Sequence, residues 1–123
     1  MKLPPFEVFS KIIFPKVRLE EDEKDITVLR VAVEGVKDDG EASYTFDMVD
    51  FYDEEKGITS MAKTTSYTAA IVARMLGRGD ISEKGLVPPA RVIRGDLFRH
   101  LLEKLADRGV DIHQFITISK EMP

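Results

Sequence analysis

A chain of 123 residues and 13.9 kDa, 43% hydrophobic and with a net charge of −4, has the size of a single domain, residues 1–123. That length excludes a complete two-domain dehydrogenase, a TIM barrel or a protein kinase, and the acidic balance argues against a nucleic-acid surface. Cysteine is absent, which removes thiol catalysis, disulfides and thiolate metal sites together.

Taken in chain order, Pro4-Pro5 suits a helix start, and Phe6, Phe9 and Ile13 recur at helical spacing until Pro15, which is expected to stop the run. Residues 20–25 are charged throughout and read as a surface loop. Thr27, Leu29, Val31 and Val33 then alternate with their neighbours, as do Ala42, Tyr44, Phe46 and Met48. The segment Lys37-Asp38-Asp39-Gly40 lies between, so residues 26–36 and 41–51 are expected to form an antiparallel hairpin. Thr59 or Ser60 can cap a helix whose stripe would be Thr65, Ala69, Val72, Ala73 and Leu76, with Gly77 and Gly79 ending it. An irregular connector over 80–95 leads to Asp96, an expected cap, and to a helix with Leu97, Phe98, Leu101, Leu102 and Leu105 on one face. Gly109 closes it, and a last strand is expected over 110–118. The fold class is therefore α+β: a hairpin-based antiparallel sheet of about three strands against about three helices, with no Rossmann domain.

Charge divides the chain. Residues 1–60 hold 15 acids against 8 bases, a net −7, and residues 61–123 hold 7 against 10, a net +3. The basic half is mostly a solvated face with Arg at helix ends, although it could face an anion or an acidic partner. Asn is absent and Gln114 is the only Gln, which with 33% charged residues is a thermophile-like composition, against which five Met count. The N-terminus lacks the apolar run of a signal peptide, and no stretch reaches the ~20 apolar residues of a membrane span, so no membrane is expected and the cytoplasm is the expected compartment.

Little in the sequence spells out chemistry. Gly77-Arg78-Gly79 follows a helix, whereas a dinucleotide loop must leave a strand and enter one. His100, and Asp111 with His113, lack the further ligand a metal site needs. Asp47, Asp50, Asp53, Glu54 and Glu55 read as a solvated strand edge and turn. No catalytic, cofactor-binding or metal-binding residue is assigned. The hydroxyl-rich run Thr64, Thr65, Ser66 and Tyr67, continued by Thr68, is the candidate ligand-binding feature, since it sits near a helix start in the basic half and suits a carboxylate or phosphate.

The stretch Gly57-Ile58-Thr59-Ser60-Met61-Ala62-Lys63-Thr64-Thr65, then Tyr67 and Ala69-Ala70-Ile71, and later Lys84-Gly85-Leu86-Val87-Pro88-Pro89, resembles the C-terminal segment of the saccharopine dehydrogenase family. Phe14-Pro15-Lys16, the strand Thr27-Val28-Leu29-Arg30-Val31, Asp50-Phe51-Tyr52-Asp53 and Leu105-Ala106-Asp107-Arg108-Gly109-Val110 fit in the same order, so the resemblance covers nearly the whole chain. It departs at Ser66, where the family pattern has Gly, and at Thr68, where it has Pro.

The resemblance implies a relation to NAD(P)-dependent oxidoreductases acting on amino-acid C–N bonds, including saccharopine and lysine dehydrogenases, and hence to lysine metabolism. It implies an N-terminal Rossmann domain and a second α+β domain serving substrate binding and dimerisation, and this chain matches the second. The chain is then expected to hold no cofactor itself, to meet NAD(P) only through a partner Rossmann domain, and to form a homodimer or join a separate Rossmann-domain chain. The alternative expectation is a repurposed, non-catalytic module that binds an amino acid or other carboxylate.

Overall fold

The computed structural model describes residues 4–20, 23–38 and 40–119. The elements run α1 (Pro5–Val17), β1 (Ile26–Lys37), β2 (Gly40–Phe51), α2 (Ser60–Arg78), α3 (Pro89–Val92), α4 (Asp96–Ala106) and β3 (His113–Ser119). The sheet is antiparallel in the order β1-β2-β3. The class is α+β, as expected.

The hairpin forms where the alternation places it, one residue longer on each side. Lys37 pairs with Gly40, and Asp38 takes φ 51°, the left-handed conformation that a two-residue turn demands. Because cross-strand partners share a face, Thr27, Leu29, Val31 and Val33 lie beside Asp50, Met48, Phe46 and Tyr44. Ile116 and Ile118 join them through Tyr44 and Ala42. This is the face the helices cover. On the opposite face Arg30, Asp47 and His113 align as one row across the three strands, with Arg30 gripping Asp47 through two bonds of 2.6 and 2.7 Å.

The core is small. Met48, Ile71, Met75, Ile81, Leu105 and Val110 are buried, and Tyr67, Val72, Val92, Ile93, Leu97, Leu101 and Ile112 pack against them. Thus α2, α3 and α4 form the helical layer, and an edge-to-face contact of Phe46 with Phe98 ties α4 to β2. The layer covers only one end of the sheet. Val31, Val33, Ile116 and Ile118 remain 43–54% exposed on the same face. No residue of α1 is buried, and its Phe6, Phe9, Ile12 and Phe14 are 55–75% exposed.

Several local expectations are corrected. Helix α1 continues through Pro15 to Val17, because a proline in the last turn forfeits a single backbone bond, and Arg18 N–H still donates to Phe14 O at 3.1 Å. The connector over 80–95 contains the short helix α3, started by Pro89. Asp96 is the first residue of α4 rather than its cap; Gly95 holds the cap position at φ 54°, and Asp96 instead pairs with Arg99 at 2.9 Å. Strand β3 begins at His113, since Val110 is drawn into the core ahead of it. Asp111 therefore does not share a strand face with His113.

The stripe expected on α2 is also rotated. Thr65, Ala69, Ala73 and Leu76 are exposed, and the buried positions are Ser60, Lys63, Ile71 and Met75, with Tyr67 and Val72 half-buried. The first two of these are polar, and that is what sets the helix in place.

Candidate functional site

The chain leaves β2 through a tight loop. Asp53 and Ile58 exchange backbone bonds of 2.9 and 3.2 Å, the Asp53 carboxylate accepts from Lys56 N–H and Nζ, and Gly57 supplies φ 63°. This returns the backbone to the helix-covered face, where α2 begins. Thr59 accepts from Ala62 N–H at 3.2 Å as the local cap. A second cap comes from a distance: Asp25 accepts from Ser60 N–H at 2.6 Å and from Met61 N–H at 2.8 Å. Two free donors of the helix start are thus satisfied by one carboxylate, and its charge complements the helix dipole. Asp25 is a structural cap rather than part of a merely solvated loop.

Beneath it lies a buried ionic anchor. Thr27 and Asp50 are cross-strand partners, and the Ser60 hydroxyl reaches both, at 2.8 Å to Thr27 Oγ1 and 2.6 Å to Asp50 Oδ2. Lys63, one turn further along α2, places Nζ 2.9 Å from Asp50 Oδ1 and donates to Phe51 O at 3.2 Å. Lys63 and Asp50 side chains are 7% and 4% exposed, and Ser60 is wholly buried. Ser60, Lys63 and Asp50 each have a polar partner here, which is the condition for a buried ion pair to persist. Asp50, expected on a solvated edge, is instead the centre of this anchor, because the hairpin register turns it toward α2.

Burial opposes ionisation of Asp25, but the backbone donors Met61 and Ser60, with the charge of Lys63, outweigh it and hold the carboxyl below its ordinary value. Asp47, Asp53 and Asp107 are also lowered, chiefly by hydrogen bonds from Arg30, Lys56 and Lys104 respectively. A carboxyl lowered by folding contributes stability that is complete above its unfolded value of about 3.9 and disappears as pH falls through the folded value. The melting temperature should therefore hold between about pH 7 and 5 and fall below about pH 4, and Asp25→Asn should flatten part of that fall. A melting temperature constant down to about pH 2.5 would contradict this.

The four candidate ligand-binding residues lie just beyond the anchor. Thr64 Oγ1 donates back to Ser60 O at 2.9 Å, and Thr68 Oγ1 does the same to Thr64 O at 2.7 Å. Thr65 and Ser66 are exposed, while Tyr67 packs against the core with the Arg108 guanidinium 6.0 Å from its ring. Consecutive helical residues point about 100° apart, so the run does not present one face. Thr65 and Ser66 are the two exposed residues of the four, and the Thr65 hydroxyl makes a long contact of 4.0 Å to Met61 Sδ.

The sequence reading missed two groupings. One is the Asp25–Thr27–Asp50–Ser60–Lys63 anchor. The other is a cleft between α2 and α4 lined by Arg74, Arg78, His100, Lys104 and Arg108 over Ile71 and Met75. The second had a signal, four-residue spacing of bases on both segments; the first had none beyond a cap residue. Among the described residues no group of three or more His, Asp or Glu side chains is arranged to hold a metal ion. Likewise, no helix there is long and apolar enough to cross a membrane.

An α+β domain with a short antiparallel sheet, a one-sided helical layer and an ionic helix anchor is the class of protein these features define. Residues 2–110 match the family model described as the saccharopine dehydrogenase C-terminal domain. The chain belongs to that family. Among curated proteins it is similar to the mitochondrial alpha-aminoadipic semialdehyde synthases of Rattus norvegicus and Mus musculus, at 30% identity over 113 residues in each case. That alignment covers 91% of this chain and 12% of each relative.

Proposed function

We propose that this chain is the substrate-side and assembly domain of an amino-acid oxidoreductase acting on C–N bonds in lysine metabolism, working with an NAD(P)-binding Rossmann domain and as a homodimer. Family membership supports the chemistry, and the relatives' name, a synthase of an aminoadipic semialdehyde, fits it. The observation that carries the assembly role is the half-covered sheet. Val31, Val33, Ile116 and Ile118 form an apolar strip beyond the helical layer, and α1 offers a further unpartnered apolar surface. Contiguous exposed apolar surface of this kind marks an interaction face. Thr65 and Ser66 supply open hydroxyls for a substrate carboxylate in this reading, with Thr64 and Tyr67 fixing the helix that presents them. The cytoplasm is the proposed compartment; the relatives' names place those proteins in mitochondria.

Sedimentation combined with calorimetry tests this. The chain should sediment as a dimer at micromolar concentration and bind neither NADH nor NADPH on its own. Replacing Val31 and Ile116 by Lys should yield folded monomers. A wild-type monomer at high micromolar concentration, or tight dinucleotide binding by the chain alone, would overturn the assignment.

A further inference from the structure

The cleft between α2 and α4 gathers positive charge in a protein whose net charge is −4. Arg74 and Arg78 stand one turn apart on α2. His100 and Lys104 stand one turn apart on α4, and Arg108 follows one turn later, just past its end. Between the two rows the floor is apolar, made of Ile71 and Met75, which are 4% and 1% exposed. Like charges at this spacing repel one another. The helix dipoles account for Arg78 and Lys104, each in the last turn of its helix, and for Arg108, which donates to the Lys104 carbonyl at the end of α4. They do not account for Arg74, a turn before the end of α2, for His100 in mid-helix, or for the convergence of both rows on one cleft.

The protein neutralises the group only in part, through Asp107 on the α4 side. Lys104 pairs with Asp107 at 2.7 Å across an exposed surface, and Arg108 spends one N–H on Lys104 O at 2.6 Å. Among the described residues no carboxylate lies within ion-pair distance of Arg74, Arg78 or Arg108. His100 and Lys104 stand about 6 Å apart along α4 at the helical rise, and Arg74 and Arg78 likewise along α2, so the two walls offer positions for more than one oxyanion group. Guanidinium pairs suit oxyanions bidentately, and an apolar floor strengthens such bonds by limiting water.

We propose that the rim of this shallow cleft, whose interior of about 30 Å³ holds little more than one water, is a surface binding site for a small polyvalent oxyanion, a molecule bearing two or more phosphate or carboxylate groups. Arg74 and Arg78 hold one end from α2 and His100, Lys104 and Arg108 receive the other from α4. The site is distinct from Thr64–Tyr67 and does not depend on the oxidoreductase role.

The test is calorimetric titration of the chain with tripolyphosphate and, separately, citrate, at about 100 mM ionic strength to suppress unspecific attraction. Two double variants are compared, Arg74→Ala/Arg78→Ala in the cleft and Arg91→Ala/Arg94→Ala outside it, so that each removes the same charge. All four side chains belong to exposed residues, so both variants should fold. Saturable binding that weakens about tenfold or more in the cleft variant and stays within about twofold in the other supports the site. A preference for tripolyphosphate identifies phosphoryl ligands, and a preference for citrate identifies polycarboxylates. Equal weakening in both variants or no saturable binding of either anion would overturn the proposal, and so would a third titration in which poly-glutamate alone binds, which would favour an acidic protein segment.

Discussion

Lys63→Met should destabilise the domain by about 3–5 kcal/mol, a large share of what a chain of this size possesses. The variant keeps the volume and helical preference of the side chain, so the loss isolates the charge. It leaves the Asp50 carboxylate 4% exposed, held by the Ser60 hydroxyl but without its cation, and removes the donor to Phe51 O. An uncompensated buried charge is what makes breaking such a pair expensive. The double variant Lys63→Met/Asp50→Leu should recover much of the loss, because a buried ion pair replaced by apolar side chains of similar size is often neutral. Urea denaturation of the four species in a double-mutant cycle measures the coupling. A single-variant loss below about 1 kcal/mol would show that water reaches the pair and that it anchors nothing. The anchor places the start of α2 against both strands of the hairpin, so its loss should also disturb the presentation of Thr65 and Ser66 and the α2 wall of the cationic cleft.

What was legible in the sequence was whatever repeats locally. The hairpin announces itself because alternation at period two runs through both strands and a turn-forming segment separates them. The face of α4 is equally plain, since Leu97, Leu101 and Leu105 recur every turn. The orientation of α2 is not, because its apolar residues at 69, 72, 73 and 76 suggest one face while its position is set by Ser60 and Lys63. Those residue types ordinarily face water, and their partners Asp25, Thr27 and Asp50 come from before and within the hairpin, so only the sheet register brings them together. The cationic cleft shows the same limit. The spacing of Arg74 and Arg78, and of His100, Lys104 and Arg108, can be read along the chain, but that the two rows face each other is a tertiary fact. The family resemblance identified the domain through motifs in order, without showing that its Ser60 and Lys63 are anchor residues.

Met75→Ala should cost about 2–5 kcal/mol, toward the upper end of that range. Met75 is 1% exposed and stands where α2, α4 and the segment around Ile81 meet, so truncation opens a cavity that three elements would have to shift to fill. With six described residues in the buried cluster, little surrounding core can absorb the change. Val33→Ala provides the contrast. Val33 is as apolar as any core residue and lies on the helix-facing side of β1, yet it is 54% exposed, and its truncation should cost well under about 1 kcal/mol in the isolated chain. The same Val33 change should weaken self-association if the strip beyond the helical layer is an interface, because its burial is then completed only in the assembly. Comparing both variants at low and high protein concentration by thermal melting separates the two roles. Met75→Ala should lower the melting temperature equally at every concentration, and Val33→Ala only where the wild-type chain is associated. A Val33 effect independent of concentration would mean that this end of the sheet is stabilised within the single chain, and the apolar strip would lose its reading as an assembly surface.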